Sequence, residues 1–175
     1  MRSKYTGLQI GLHWLVLILV VIAWLSMELR HDFPRSQRPL ILTIHASCGI
    51  SVGVLMVARL ILRLRYPAPP VVPKPPVWSI GLAHLGHLAI WLTFLALPIL
   101  GVLTVWFKGS GWHFFGISMP VAAIPDEDLE HSVKSWHELL ANFSYWLIAI
   151  HAAAALLHHY WWRDNTLKRM MPGGR

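Results

Sequence analysis

The chain has few charged residues and almost no cysteine, and each shortage excludes some classes of protein. Charged side chains make up 13% of the 175 residues, whereas hydrophobic residues make up 55%. A soluble domain carries about twice that share of charge. The single cysteine, Cys48, excludes an intrachain disulfide, a cysteine-ligated zinc site and a cysteine-bound iron–sulfur cluster. The composition therefore indicates an integral membrane protein, and the ten tryptophans agree because tryptophan favours the membrane interface.

The sequence also lacks the short motifs that identify several enzyme classes. It contains no phosphate-binding loop, no dinucleotide fingerprint and no nucleophile elbow. The first apolar run is too long for a signal peptide, and no small-residue cleavage site follows it. The net charge of +7 is explained by membrane topology, so we predict no nucleic-acid partner.

Four apolar stretches are long enough to cross about 30 Å of hydrocarbon as helices. We predict helices over about 8–28, 40–64, 80–107 and 133–162, within one domain of residues 1–175. The predicted fold is all-α: an integral membrane, antiparallel four-helix bundle. The second loop is rich in proline and is expected to be extended. The third loop is the longest, and loops of such length are usually functional or partly structured.

The distribution of cations predicts that both termini are cytoplasmic. Cytoplasmic loops carry an excess of Lys and Arg. With both termini inside, ten of the 15 cations lie on that side: Arg2, Lys4, Arg59, Arg63, Arg65, Lys74, Arg163, Lys168, Arg169 and Arg175. Seven of the eight acids then lie outside, and Asp164 is the one acid inside.

Four histidines fall at matched depths in these helices. His137 and His151 are fourteen residues apart, which in a helix is roughly 21 Å and nearly four full turns. His45 lies at the depth of His137, and His13 lies at the depth of His151. Histidines inside lipid-embedded helices are rare and mark functional sites. The pattern predicts two bis-histidine sites, one above the other, each holding a haem b in the bundle core.

Several alternatives to this pairing stay open at this level. His84 and His87 enter the third helix from the inner side, so either could replace His13 as the partner of His151. A membrane histidine can also be hydrogen-bonded to a neighbouring helix without a cofactor. A haem-free proton or solute pathway is therefore a rival function, which a visible spectrum would distinguish.

Arg59 lies fourteen residues after His45 and therefore on the same face of its helix. An arginine that faces a bundle interior needs an anionic partner, and a propionate of the inner haem would provide one. The alternative is that Arg59 extends to the inner interface beside Arg63 and Arg65.

The sequence resembles the bacterial cytochrome b561 family, the small di-haem quinone-linked membrane cytochromes. The resemblance covers essentially the whole chain and is carried by LHWL at 12–15, IHASCG at 44–49, AHLGH at 83–87, SWHE at 135–138 and HAAAALLHH at 151–159. It implies that helices one, two and four supply the haem ligands. His13 would then pair with His151, and His45 with His137.

The resemblance further implies an oxidoreductase of the bacterial inner membrane that oxidises superoxide and reduces ubiquinone. Superoxide would react at the periplasmic haem. Four cations predicted on that side could attract it: Arg30, Arg35, Arg38 and Lys134. Alternatively, these cations serve only to keep the loops hydrated.

The quinone site is expected near the inner haem and open to lipid. His158 is seven residues beyond His151 and could hydrogen-bond a quinone carbonyl, and His87 is the other candidate. Each could instead be an ordinary interfacial histidine. The alternative function is a cytochrome b subunit that docks a dehydrogenase or hydrogenase through the third loop. We predict superoxide, ubiquinone and membrane lipid as partners, and no obligate protein partner.

Overall fold

The computed structural model describes residues 3–173 and is built from four long helices and one short hairpin. Each of the four helices is long and apolar enough to cross a membrane. The predicted four-helix membrane bundle is confirmed. In chain order the elements are α1 (Gly7–Glu28), α2 (Arg38–Arg65), α3 (Val77–Lys108), β1 (Trp112–Phe114), β2 (Ile117–Met119) and α4 (Glu127–Tyr160), with short 3-10 turns at Leu29–His31 and Arg35–Gln37.

Local sequence signals explain where the helices begin. The hydroxyl of Thr6 accepts the backbone N–H of Gln9, and the Gln9 side chain accepts the backbone N–H of Thr6, which forms a capping box for α1. Asp126 caps α4 by accepting the N–H of Leu129, at 2.9 Å. The acidic residues that follow Asp126 fill the first turn of α4, where the helix dipole favours negative charge. For this reason α4 begins at Glu127, ahead of the predicted start near residue 133.

Successive helices pack side by side, and ring contacts join the first helix to the last. The rings of Trp24 in α1 and Tyr145 in α4 lie 6.0 Å apart. Halfway along the bundle, a buried cluster fills the space between the helices: Val16, Val52, Met56 and Phe94. Most other large apolar side chains are exposed on the surface of the bundle, as expected for helices surrounded by lipid.

One end of the bundle holds both ends of the described chain and the proline-rich loop; we call it the terminal end. The N–H of Tyr5 donates to the carbonyl of Arg169, and the indole N–H of Trp14 donates to the carbonyl of Met170. Asn165 accepts the N–H of Val72 at 2.9 Å, which fastens the segment after α4 to the loop between α2 and α3. Arg2 and Arg175, two of the predicted inner cations, lie outside the described residues.

The opposite end carries the β-hairpin, and we call it the hairpin end. β1 and β2 pair antiparallel, with Trp112 opposite Met119, and are the only strands among residues 3–173. The N–H of Phe115, in the turn, donates to the hydroxyl of Ser47 on α2 at 2.9 Å. Trp112 is buried and donates its indole N–H to the carbonyl of Pro120. The longest predicted loop is therefore partly structured and docked on the bundle.

Candidate functional site

His45 on α2 and His137 on α4 face each other near the hairpin end. Their ring centroids are 6.0 Å apart. The Nδ1 of His45 lies 2.9 Å from the carbonyl oxygen of Ala23, and the Nδ1 of His137 lies 3.0 Å from that of Leu97. A carbonyl oxygen can only accept a hydrogen bond, so each Nδ1 carries the proton. Each Nε2 therefore keeps a free lone pair, as a metal ligand requires.

The spacing of these two rings fits a pair of axial ligands. A metal–nitrogen bond of about 2 Å on each side, plus the distance from nitrogen to ring centre, separates two axial imidazole centroids by roughly 6 Å. Gly101 on α3 makes room for the second ligand, since a Cβ built there would lie 3.2 Å from Cε1 of His137. The site at the hairpin end thus fits a bis-histidine haem.

A cavity of about 900 Å³ at the hairpin end is lined by both histidines. All four cations predicted to attract superoxide line it: Arg30, Arg35, Arg38 and Lys134. Two further basic residues that the sequence reasoning missed, His31 and Lys108, line it as well. Both lie within three residues of the end of a predicted helix, which was their only signal in the sequence. The structure thus brings these four cations and the histidine pair to one cavity.

Acidic residues reduce the positive charge of this cavity only in part. Seven of the eight acids were predicted on this side, but Glu130 and Glu138 are the two that line the cavity. Lys134 Nζ lies 3.8 Å from Glu138 Oε1, in an exposed pair one helical turn apart. Such pairs are weak and are screened by salt. Around the histidine pair, cations outnumber acids.

Three histidines meet nearer the terminal end. The ring centroid of His151 on α4 lies 6.2 Å from that of His13 on α1 and 5.6 Å from that of His87 on α3. Both distances are close to the roughly 6 Å of an axial pair. The structure therefore brings the predicted pair, His13 and His151, close to each other. It also places His87, a competing candidate, beside His151.

Arg59 lies near two of these histidines. Its positive charge acts on His13 and His151, and its Cζ atom lies 5.9 Å from the Trp91 ring centre. Its Nε and Nη1 atoms are buried without a hydrogen-bond partner. A buried, unpaired guanidinium is costly unless an anion neutralises it, so this residue fits a haem carboxylate.

His158, the predicted quinone residue, lies at the terminal end and has polar partners at both ring nitrogens. Its Nδ1 is 2.5 Å from Oδ2 of Asp164, and its Nε2 is 3.4 Å from the hydroxyl of Ser79. The ring of Trp162 lies 4.5 Å away. Sequence reasoning missed Asp164 because its burial depends on the turn that follows α4. Its only signal was that it is the single acid on the predicted inner side.

Facing histidines inside an apolar four-helix bundle, two of them with fixed tautomers, fit the class of membrane proteins that bind haem. The family model of prokaryotic cytochrome b561 matches residues 4–173, and the chain belongs to that family. It is therefore a membrane cytochrome b with haem b as cofactor, and an oxidoreductase that transfers electrons.

Named relatives match the chain over nearly its whole length. The protein named Probable superoxide oxidase CybB, of Yersinia pestis, is 55% identical over 172 residues, with 98% of each chain covered. Cytochrome b561 homolog 1 of Escherichia coli (strain K12) is 43% identical over 172 residues, covering 97% of this chain and 98% of that one. Cytochrome b561 homolog 2 of the same organism is 28% identical over 175 residues, covering 97% and 92%.

Proposed function

We propose that the protein holds two haems b, oxidises superoxide to dioxygen on the periplasmic side and passes the electrons to ubiquinone. Two superoxide anions, one ubiquinone and two protons yield two dioxygen molecules and one ubiquinol. The observation that carries the proposal is the cavity at the hairpin end, where a histidine pair and a cluster of cations share one space. The similarity to a protein named as a probable superoxide oxidase supports the choice of substrate.

His45 and His137 would hold one haem, and His13 and His151 would hold the other. When bound, each haem supplies a one-electron redox centre. The hydrogen bonds to the carbonyls of Ala23 and Leu97 fix the orientation of the first pair and increase its basicity. Arg59 would neutralise a carboxylate of the second haem, and its buried Nε and Nη1 atoms without partners support this role.

The terminal end faces the cytoplasm of a bacterial inner membrane in this proposal. The positive-inside distribution of Lys and Arg supports that orientation. The hairpin end is then periplasmic, and Arg30, Arg35, Arg38 and Lys134 attract the superoxide anion toward the His45–His137 site. A positive field in a narrow, partly dry cavity raises the local concentration of an anion and its rate of arrival.

Ubiquinone approaches from the lipid at the terminal end, where His158 and Ser79 offer polar contacts. The Nε2 of His158 is 3.4 Å from the Ser79 hydroxyl, a long hydrogen bond that a quinone carbonyl could replace. Trp78 is exposed beside Trp162, with ring centroids 6.0 Å apart, and provides an aromatic wall. His87 lies close to His151 and is the second residue we assign to this region.

Proteoliposomes test this function directly. The holoprotein is reconstituted with ubiquinone in the bilayer, and superoxide is generated in the external medium. We expect ubiquinol to form, and superoxide dismutase added outside to abolish its formation. If ubiquinol does not form although both haems are present, the proposal is wrong, and a cytochrome subunit serving a dehydrogenase partner becomes the better explanation.

A further inference from the structure

Among residues 3–173, Asp164 is the one acidic residue at the terminal end, and it contacts His158, the residue we assign to the quinone. It is 4% exposed, and its Oδ2 lies 2.5 Å from Nδ1 of His158. We propose that Asp164 is a positioning residue that orients the His158 ring, so that the pair delivers protons to ubiquinone. This inference rests on the proposed function and adds to it the route of the protons.

The backbone around Asp164 holds the carboxylate in place from several sides. Its Oδ1 accepts the N–H of Thr166 at 2.8 Å, and its own N–H donates to the carbonyl of His158 at 3.1 Å. The preceding residue, Arg163, has a φ of 53°, in the left-handed region that non-glycine residues rarely adopt. The turn after α4 therefore brings the chain back so that this one carboxylate meets this one imidazole.

Asp164 is an anion in this environment. Burial alone would raise the pKa of its carboxyl, but hydrogen bonds with His158 and Thr166 together hold the pKa below its usual value. The guanidinium of Arg169 adds a further favourable charge. A buried carboxylate beside an imidazole fixes which ring nitrogen faces it and holds the ring in one orientation.

The geometry also determines which way the second ring nitrogen of His158 faces. Because Nδ1 is bound to Asp164, Nε2 is left to point toward Ser79, beside the aromatic wall of Trp78 and Trp162. Ubiquinone needs two protons for two electrons. In our proposal Nε2–H gives one proton to a quinone oxygen, superoxide is the source of the electrons as in the proposed function, and the aqueous phase at the terminal end reprotonates the ring. The cycle then repeats for the second proton.

The simpler explanation is that Asp164 only anchors the segment after α4. Asn165 provides a matched control, since it anchors the same segment through the N–H of Val72 and the carbonyl of Pro70 but does not contact His158. If anchoring is the whole role of Asp164, then Asp164→Asn and Asn165→Ala should behave alike.

The experiment compares Asp164→Asn, His158→Gln, the double variant and Asn165→Ala as full-length holoproteins in liposomes. We expect Asp164→Asn to lower kcat for ubiquinone reduction by about 10- to 100-fold, the usual effect of losing such a supporting carboxylate. The KM, the haem content and haem reduction by superoxide should change little. The double variant should match His158→Gln alone, and Asn165→Ala should match the wild type.

A rescue experiment distinguishes a role of the Asp164 carboxylate in proton delivery from a role in anchoring the segment after α4. Formate, a small carboxylate, should restore part of the kcat of Asp164→Ala and none of that of His158→Gln. An unchanged kcat in Asp164→Asn, or equal losses in Asp164→Asn and Asn165→Ala, overturns the inference.

If Asp164→Asn does not accumulate with haem, Asp164→Glu is measured in its place, because it keeps the charge but displaces it. A reduced kcat at normal KM supports the inference, and a wild-type kcat overturns it. A wild-type protein that reduces no ubiquinone refutes the proposed function instead.

Discussion

His45 and His137 are held face to face, 6.0 Å apart, by hydrogen bonds to the two helices that carry neither of them. His45 on α2 donates to Ala23 on α1, and His137 on α4 donates to Leu97 on α3. All four helices thus contribute to one site. A cofactor bound between these rings would connect α2 with α4 and should stabilise the whole bundle by linkage.

The purified protein should contain two haems b per chain. Replacing His45 or His137 with Ala should remove mainly the haem at the hairpin end, and replacing His151 should remove mainly the other, because each loses an axial ligand. A pyridine haemochrome assay on each variant measures this, with the exposed His84→Ala as control. One haem or none per wild-type chain would contradict the two-site account.

His13, rather than His87, should be the partner of His151. The ring distances of 6.2 and 5.6 Å allow either, so the family resemblance carries this expectation. His13→Ala should lose one haem, whereas His87→Ala should keep both and change only the kinetics of reoxidation by quinone. The opposite result, with haem lost in His87→Ala and retained in His13→Ala, would reverse the assignment.

Gly101→Val should damage the site at the hairpin end selectively. Even a Cβ at this position would lie 3.2 Å from the His137 ring, and a larger side chain must displace the ligand. Overpacking of this kind costs about 1–3 kcal/mol. The matched control is Gly81→Val on the same helix, where a Cβ meets nothing within 4 Å. Haem content and the visible spectrum measure the effect; a normal haem complement in Gly101→Val would show that His137 tolerates the displacement.

Cations of the hairpin-end cavity should accelerate haem reduction by superoxide. Neutralising Arg30, Arg35, Arg38 or Lys134 should each lower the second-order rate by a factor of about two to five at low salt, a share of the ten- to thousand-fold that such fields supply. Added salt should shrink the loss, because screening acts over about 8 Å at physiological ionic strength. Lys134 should matter least, since Glu138 lies 3.8 Å from it.

The same variants need two controls. Lys74→Gln changes an exposed cation at the terminal end and should leave the rate unchanged. A neutral electron donor should reduce all variants equally, because a field does not attract it. Rates that are insensitive to salt and to all four substitutions would rule out attraction by these cations.

The sequence was sufficient to predict features that depend on helical periodicity. Long apolar stretches identified the spans, and a fourteen-residue interval predicted that His137 and His151 lie on one face at two depths. Arg59 was left between two positions, and its contacts with His13 and His151 were needed to place it in the interior.

Features that depend on chain reversal could not be predicted in this way. The contact of Phe115 with Ser47 spans 68 residues, and no local pattern encodes it. The convergence of Arg30, Arg35, Arg38 and Lys134 on the histidine pair depends on how the segment between α1 and α2 lies beside the first turns of α4. The burial of Asp164 depends on a positive φ at Arg163, a residue type for which that conformation is uncommon.

The most direct test is rapid mixing of the oxidised holoprotein with superoxide, observed in the haem absorption bands, with and without ubiquinone. We expect haem reduction at a rate that falls with added salt, followed by reoxidation only when ubiquinone is present. His158→Gln should slow the reoxidation and leave the reduction intact. Haems that stay oxidised in the presence of superoxide, or that reoxidise equally without ubiquinone, would contradict the account.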